Sequence, residues 1–195
     1  MNEKTTKQIE EMMNQTIGVE VEMNNITRTK AAQLAAEFFG TGRHEHTAGR
    51  NGYDTYSAWD GEGREWKFQK DVSIHGPDSE KCEMVTPILT YADMETLQEL
   101  IRRLRKAGAK SDATRGCGVH IHIGAKGHTP QTLRNLANIM ASHESLLASA
   151  LNLDRSRMSR YCRTVSKDFL VELNRKKPKT MAALADTWYG SQKAG

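Results

Sequence analysis

Three short stretches of the chain alternate between polar and apolar side chains, namely residues 17–23 (IGVEVEM), 81–87 (KCEMVTP) and 119–123 (VHIHI). Successive side chains of a β-strand point to opposite faces of a sheet, so the alternation predicts three strands with one polar and one apolar face each. Carboxylates occupy the polar face of the first two stretches, and imidazoles occupy that of the third. We expect all three apolar faces to pack on a core.

A spacing of three to four residues between apolar side chains marks the helices. The clearest helix begins after a cap at Thr90 and ends at Gly108, with cations in its last turn. Its apolar stripe consists of Met94, Leu97, Leu100, Ile101 and Leu104. We expect this stripe to pack on the backs of the strands that contain Val19, Met84 and Ile121.

A second helix signal is the cap at Thr129 followed by Pro130, which predicts a long helix that continues to about residue 150. We expect the polar pair His143 and Glu144 to interrupt this helix. The pair is not part of an HExxH zinc motif, because Leu147 stands where the second histidine would be. The predicted core positions are Leu133, Leu136, Met140 and Leu147.

Weaker patterns predict the remaining elements. His44 and His46 lie in the weakly patterned region 41–60, and we interpret them as exposed strand or loop residues. The other expected elements are a leading helix in 3–15, a helix up to Gly40, a β-hairpin around the turn 60–63, an arginine-rich loop over 154–163, and short helices in 166–175 and 180–190.

The length of 195 residues favours a single domain, which we expect to span residues 1–195. Within it, 16–150 would form the sheet and its packing helices, and 151–195 the arginine-rich loop and short helices. No stretch approaches the roughly 18 apolar residues that cross a bilayer, and the amino terminus does not resemble a signal peptide. We therefore expect no membrane partner.

The cysteine content bears on the cellular location of the protein, and the net charge bears on its binding partners. The three cysteines, Cys82, Cys117 and Cys162, are widely spaced and form no CxxC pair, which favours a reducing, cytoplasmic location. The formal net charge of +4 permits contact with anions, but Lys and Arg are spread through the chain. A basic nucleic-acid-associated protein therefore remains an alternative that we do not favour.

If the three alternating strands share a sheet, their polar faces form one surface. This surface would hold Glu20, Glu22, Glu83, His120 and His122. Carboxylates with imidazole suit hard divalent cations such as Mg²⁺ or Mn²⁺, and such ions commonly bridge nucleotide phosphates. The pattern therefore indicates phosphoryl transfer or ATP-driven activation.

Other interpretations of the same residues remain open. Cys117, His120 and His122 could form a zinc hydrolase site, although Cys117 and His120 differ in strand parity. Cys117 could also act as a nucleophile beside a histidine. The arginine-rich segment 154–163 either binds phosphate or carboxylate groups or is a solvated connector.

Four motifs together resemble the amidoligases, which are carboxylate–amine ligases related to glutamine synthetase and glutamate–cysteine ligase. The motifs are GVEVE (18–22), DVSI (71–74), EMVTPIL (83–89) and GCGVHIHIG (116–124). The last one is also similar to the glycine-rich HxH motif of glutamine synthetase.

The resemblance implies an α+β fold, in which helices pack on the convex face of a curved antiparallel sheet like that of glutamine synthetase. It also implies a reaction in which ATP phosphorylates a small-molecule or peptide carboxylate and an amine then attacks the acyl phosphate to give an amide.

The resemblance further implies roles for individual residues. Glu20, Glu22, Glu83 and His120 would bind Mg²⁺ or Mn²⁺. His122 would act in catalysis by facing the nucleotide or the transferred phosphate, and Asp71 by positioning the metal or the amine. Arg160 and Arg163 would bind phosphate or the substrate carboxylate.

One departure from the family pattern concerns the end of the chain. Family members generally continue into a further strand pair with a late glutamate and arginine, whereas this sequence ends at Gly195. Either the sequence is a fragment or it is a natural short form, and in both cases we expect the fold to be incomplete at its carboxyl end, with an open sheet edge that permits self-association. The alternative function is a catalytically inactive accessory module that binds a metal or nucleotide.

Overall fold

The computed structural model describes residues 2–47 and 52–192, with side chains through residue 190. The chain divides into two compact units, Met1–Gly124 and Ala125–Gly195, and each is described by itself. The single domain expected over 1–195 stays a prediction, and its last three residues, 193–195, lie outside the described part.

The first unit combines a sheet with helices, which confirms the predicted α+β class. Its strands are β1 (Ile17–Met23), β2 (His44–Thr47), β3 (Thr55–Trp59), β4 (Glu65–Gln69), β5 (Cys82–Val85) and β6 (Val119–Ile123). Its α-helices are α1 (Glu3–Met13), α2 (Arg28–Phe38) and α3 (Met94–Lys106). The three alternating stretches are thus strands β1, β5 and β6, as predicted.

The six strands form one open antiparallel sheet in the order β2-β3-β4-β5-β1-β6. The predicted hairpin is β3–β4, whose turn is closed by Asp60 accepting the backbone N–H groups of Glu62 and Arg64. His44 and His46 lie on the exposed edge strand β2, in agreement with the sequence interpretation. The predicted curvature of the sheet and its likeness to glutamine synthetase stay predictions.

The core lies between one face of the sheet and helices α2 and α3. Val19, Met84 and Phe68 project from that face and pack in one cluster with Leu97, Leu100 and Leu104 of α3. Thr90 caps the turn before α3 through a reciprocal pair of hydrogen bonds with Asp93. The stripe predicted for this helix therefore packs on the backs of β1 and β5 as expected.

Strand β6 departs from the expectation of an apolar core face. Val119, Ile121 and Ile123 are 55%, 64% and 54% exposed, and none of them belongs to the core cluster. The physical reason is the position of β6 at the edge of the sheet, beyond the part that α2 and α3 cover. The prediction that Ile121 packs under the amphipathic helix is wrong.

The described part of the second unit is helical, with α4 (Pro130–Ala150), α5 (Arg155–Arg160), α6 (Lys167–Lys176) and α7 (Met181–Gln192). Its small core contains Phe169, Leu173 and Leu184. Helix α4 begins at the predicted cap and continues through His143 and Glu144, so the predicted interruption is wrong. None of the helices in the described residues has the length and apolar character needed to cross a membrane.

Two further expectations about this unit are corrected. Leu136, Met140 and Leu147 are 41–45% exposed, so only Leu133 of the four predicted core positions packs against the small core. The arginine-rich segment is not a continuous loop, since Asp154 caps the short helix α5 by accepting the N–H groups of Ser156 and Arg157. Lack of apolar periodicity concealed this helix, whose residues are largely exposed.

Candidate functional site

The polar faces of β5, β1 and β6 form one continuous surface because these strands are neighbours in the sheet. Glu22 of β1 lies opposite Glu83 of β5, and Glu20 lies opposite His120 of β6. His122 is opposite Gly18, on the same face. Strand alternation predicted which side chains share a face, and the strand order brings the three polar faces together.

The first group of ligand atoms belongs to Glu20, Glu83 and His120, and these atoms lie within 4.8 Å of one another. His120 Nδ1 is 3.0 Å from Glu20 Oε2, and His122 Nε2 is 3.3 Å from Glu20 Oε1. Both histidine side chains are more than half exposed, whereas Glu20 is 28% exposed. The carboxylate of Glu20 is therefore held between two imidazoles at the open side of the surface.

The second group joins Glu22, Asp71 and Glu83, again with ligand atoms within 4.8 Å of one another. Glu22 is buried and accepts hydrogen bonds from the Gly118 N–H at 2.6 Å and from Ser73 Oγ at 3.2 Å. Asp71 follows β4 and accepts the Ser73 N–H at 2.6 Å. Glu83 belongs to both groups, so the two form one continuous acidic cluster.

The electrostatics of the cluster are concentrated at Glu83. Its side chain is buried, and one oxygen accepts a hydrogen bond from Gln69 Nε2 at 2.8 Å. Burial, together with the neighbouring carboxylates of Glu20, Asp71 and Glu22, raises the pKa of Glu83, and the Gln69 hydrogen bond opposes this only in part. Like charges that converge at a buried position favour occupation by either a proton or a cation.

The donor set fits a hard divalent cation. Carboxylate oxygens and an imidazole nitrogen are ligands that Mg²⁺ and Mn²⁺ accept, at about 2.0–2.2 Å from the metal. Two ligands of one such ion are at most about 4.4 Å apart, so separations within 4.8 Å require only a small adjustment of the side chains. Two ligand groups that share Glu83 offer two adjacent positions.

The other candidates, Cys117, Arg160 and Arg163, have contacts of their own. Cys117 is buried and joins neither of the two ligand groups found among the described residues. Arg160 and Arg163 belong to the second unit, where the Arg160 guanidinium lies 5.9 Å from the Tyr161 ring and Arg163 Nε donates to the Ser159 carbonyl at 3.3 Å. Their predicted contact with phosphate stays a prediction.

Sequence reasoning missed three groups that hold the carboxylates in place. They are the Gln69 amide, the Ser73 hydroxyl and the Gly118 N–H. Gln69 could have been found from its parity, since it alternates with Phe68 and lies opposite Glu83 in the sheet. Gly118 continues the alternation of His120 and His122 and bonds to Glu22 through its backbone, whereas Ser73 lies in a loop whose contact with Glu22 no alternation specifies.

The structure thus describes an α+β protein with an open antiparallel sheet and a cluster of carboxylates and histidines on one face of that sheet. The family model described as "putative amidoligase enzyme" matches residues 13–194, which include every residue of this cluster. The chain belongs to this amidoligase family. Comparison with curated proteins and with solved structures found no significant match to either.

Proposed function

We propose that the protein is an ATP- and divalent-cation-dependent carboxylate–amine ligase that forms an amide through an acyl phosphate. The observation that carries the proposal is the convergence of Glu20, Glu22 and Glu83 with Asp71 and His120 on one face of the sheet in a member of the amidoligase family. Ligases of this kind must bring two anions together, namely a nucleotide triphosphate and a carboxylate. A cation held by acidic residues lowers the cost of that approach.

The proposed reaction has two steps. The substrate carboxylate attacks the γ-phosphorus of ATP, the bond to the bridging oxygen breaks, and ADP leaves with the electron pair. The amine then attacks the acyl carbon, the carbon–oxygen bond to the phosphate breaks, and phosphate leaves while the nitrogen loses a proton. A divalent cation bound to the acidic cluster would offset charge on the phosphate oxygens.

Individual residues have separate roles in the proposed reaction. Glu20, Glu22, Glu83 and His120 would hold the cation, and Asp71 lies beside Glu22 and Glu83, where it could bind the cation or orient the amine. His122 Nε2 lies 3.3 Å from Glu20 Oε1 and the His122 side chain is more than half exposed, so it is available to the transferred phosphate. Arg160 and Arg163 are assigned to phosphate or substrate carboxylate by the family resemblance alone.

The direct test uses hydroxylamine as the amine. The full chain is incubated with ATP, Mg²⁺, hydroxylamine and a panel of small-molecule and peptide carboxylates, and both ADP and hydroxamate are measured. We expect both products in equal amounts, and loss of both with Glu20→Ala. Glu45→Ala is the matched control, because Glu45 lies on the same face of the sheet but on the opposite edge strand.

Absence of both products across the panel would contradict the ligase proposal. Calorimetry with Mn²⁺ and with ATP then separates the alternatives. Binding of Mn²⁺ that Glu20→Ala removes, without turnover, would favour the inactive accessory module. Retention on DNA that falls steeply with salt and is unchanged by Glu20→Ala would instead favour the nucleic-acid-associated protein.

A further inference from the structure

Ser73 and Gly118 each donate a hydrogen bond to one oxygen of the Glu22 carboxylate. The Ser73 hydroxyl donates to Oε1 at 3.2 Å, and the Gly118 N–H donates to Oε2 at 2.6 Å. Glu22 is 4% exposed, so its carboxylate relies on hydrogen-bond donors from the protein. Each oxygen keeps a lone pair for a cation while its direction is fixed by a donor.

Ser73 also contacts the second carboxylate of this group. Its backbone N–H donates to Asp71 Oδ1 at 2.6 Å, which closes a turn typical of an aspartate two residues before the donor. One residue therefore binds Asp71 through its backbone and Glu22 through its side chain. The two carboxylates repel one another, so a donor to each is needed to keep them side by side without a cation.

The position of Ser73 is set by the turn that leads into β6. Gly116 has φ +81°, and a Cβ at this residue would lie 2.5 Å from the Ser73 carbonyl oxygen, so the close approach requires glycine. The His75 N–H donates to the Arg115 carbonyl at 2.7 Å and joins the same two segments. The Ser73 hydroxyl is therefore presented from a braced loop although the side chain itself is exposed.

We propose that Ser73 is a positioning residue that orients Glu22 beside Asp71 for a divalent cation held by Glu22, Asp71 and Glu83. The inference rests on the proposed function, because it presupposes that these carboxylates bind a cation. Groups that fix the direction of a metal ligand typically contribute about 10–100-fold to metal affinity. Without the hydroxyl, Glu22 loses one of its two donors and turns away from Asp71.

The experiment titrates the full chain with Mn²⁺ alone and follows binding by calorimetry and by the electron paramagnetic resonance signal of the free ion. Ser73→Ala removes the donor to Glu22 but leaves the backbone N–H to Asp71. We expect it to weaken Mn²⁺ binding about 10-fold. Ser73→Thr keeps a hydroxyl and should restore most of the lost Mn²⁺ affinity.

Val72→Ala is the matched control, because Val72 is the neighbouring residue of the same loop and is 80% exposed. The melting temperatures of all four metal-free proteins are measured in parallel. They should coincide within a few degrees, since one hydrogen bond from an exposed hydroxyl contributes only about 1 kcal/mol to the net free energy of unfolding. If Ser73 had a purely structural role, Ser73→Ala would lower the melting temperature and leave the Mn²⁺ affinity unchanged.

The outcomes separate this inference from the proposed function. If the wild-type protein does not bind Mn²⁺, the proposed cation site fails and the role of Ser73 fails with it. If the wild type binds Mn²⁺ and Ser73→Ala binds it equally well, only the role of Ser73 is overturned. Equal weakening by Ser73→Ala and Ser73→Thr would also overturn it, because the hydroxyl would then not be the cause.

Discussion

Glu83 is the residue at which both groups of candidate ligands meet, and burial beside three other carboxylates raises its pKa. The ionised form of this side chain is therefore penalised in the metal-free protein. A stability cost at a polar residue is common where function requires it. The sequence showed Glu83 on a polar strand face, but not that it would be buried between two groups of ligands.

Replacing Glu83 by Gln should separate stability from binding. We expect Glu83→Gln to raise the melting temperature of the metal-free protein at pH 7, because a neutral amide avoids the cost of the buried charge. We expect the same change to abolish stabilisation by Mn²⁺. Thermal denaturation with and without Mn²⁺ measures both effects. A lower melting temperature without metal would show that the carboxylate of Glu83 stabilises the fold.

The pKa of Asp54 is shifted in the opposite direction to that of Glu83. Its carboxylate accepts a hydrogen bond from Arg28, and this contact, together with His46, holds the pKa of Asp54 below its usual value. The Arg28 guanidinium is largely buried and also donates to the carbonyls of Asp54, Asp78 and Lys81. Arg28 therefore joins α2 to the segment before β3 through the ion pair and to the segment before β5 through the two carbonyls.

This arrangement predicts a pH dependence of stability. Because the folded-state pKa of Asp54 is lowered, its stabilising contribution is present above the unfolded-state value of 3.8 and is lost as pH falls through the folded-state value. Asp54→Asn should lower the free energy of unfolding at pH 7, and the difference from wild type should shrink in acid. Urea titrations at pH 7 and at about pH 3 test this. A difference that is constant with pH would contradict it.

Helix α3 and strand β6 show which packing contacts the periodicity predicts and which it does not. The helix stripe and the strand alternation were both read correctly from the sequence, and α3 covers β1 and β5. Strand β6 has the same pattern but lies at the sheet edge with its apolar side chains exposed. Alternation gives the face of a side chain, and the neighbours in the sheet decide whether that face is covered.

Two side-chain truncations compare a buried residue of α3 with an exposed residue of β6. Leu100 is fully buried in the core cluster, so Leu100→Ala should lower the free energy of unfolding by about 2–5 kcal/mol. Ile121 is 64% exposed, so Ile121→Ala should change it by less than about 1 kcal/mol. Chemical denaturation of both variants is the measurement. Similar losses for the two would mean that the back of β6 is covered in solution.

At the scale of the whole molecule, the edge position of β6 bears on self-association. Gly118 and Gly124 direct backbone groups towards β1, so by alternation Val119, Ile121 and Ile123 direct their N–H and C=O groups away from it. An edge strand with free backbone groups and apolar side chains can pair with a second copy. Self-association through this edge stays a prediction.

Sedimentation velocity over a range of concentrations tests self-association. We expect the wild-type chain to associate as concentration rises, and Ile121→Lys to remain monomeric, because a charge on an edge strand opposes pairing. Ile88→Lys is a suitable control, since Ile88 is 73% exposed and lies outside the strands. A wild-type protein that is monomeric at every concentration would contradict the prediction.

The sequence by itself determined the strand faces, the main helices and four of the five residues in the acidic cluster, because these follow from local periodicity and alternation. Asp71 was placed only by resemblance, since it belongs to a loop whose course no periodicity specifies. Only the tertiary structure decided that β5, β1 and β6 are neighbours, that Ser73 and Gly118 hold Glu22, and that β6 lies at the edge. These features depend on contacts between residues far apart in the chain, and local patterns carry no information about which distant segments meet.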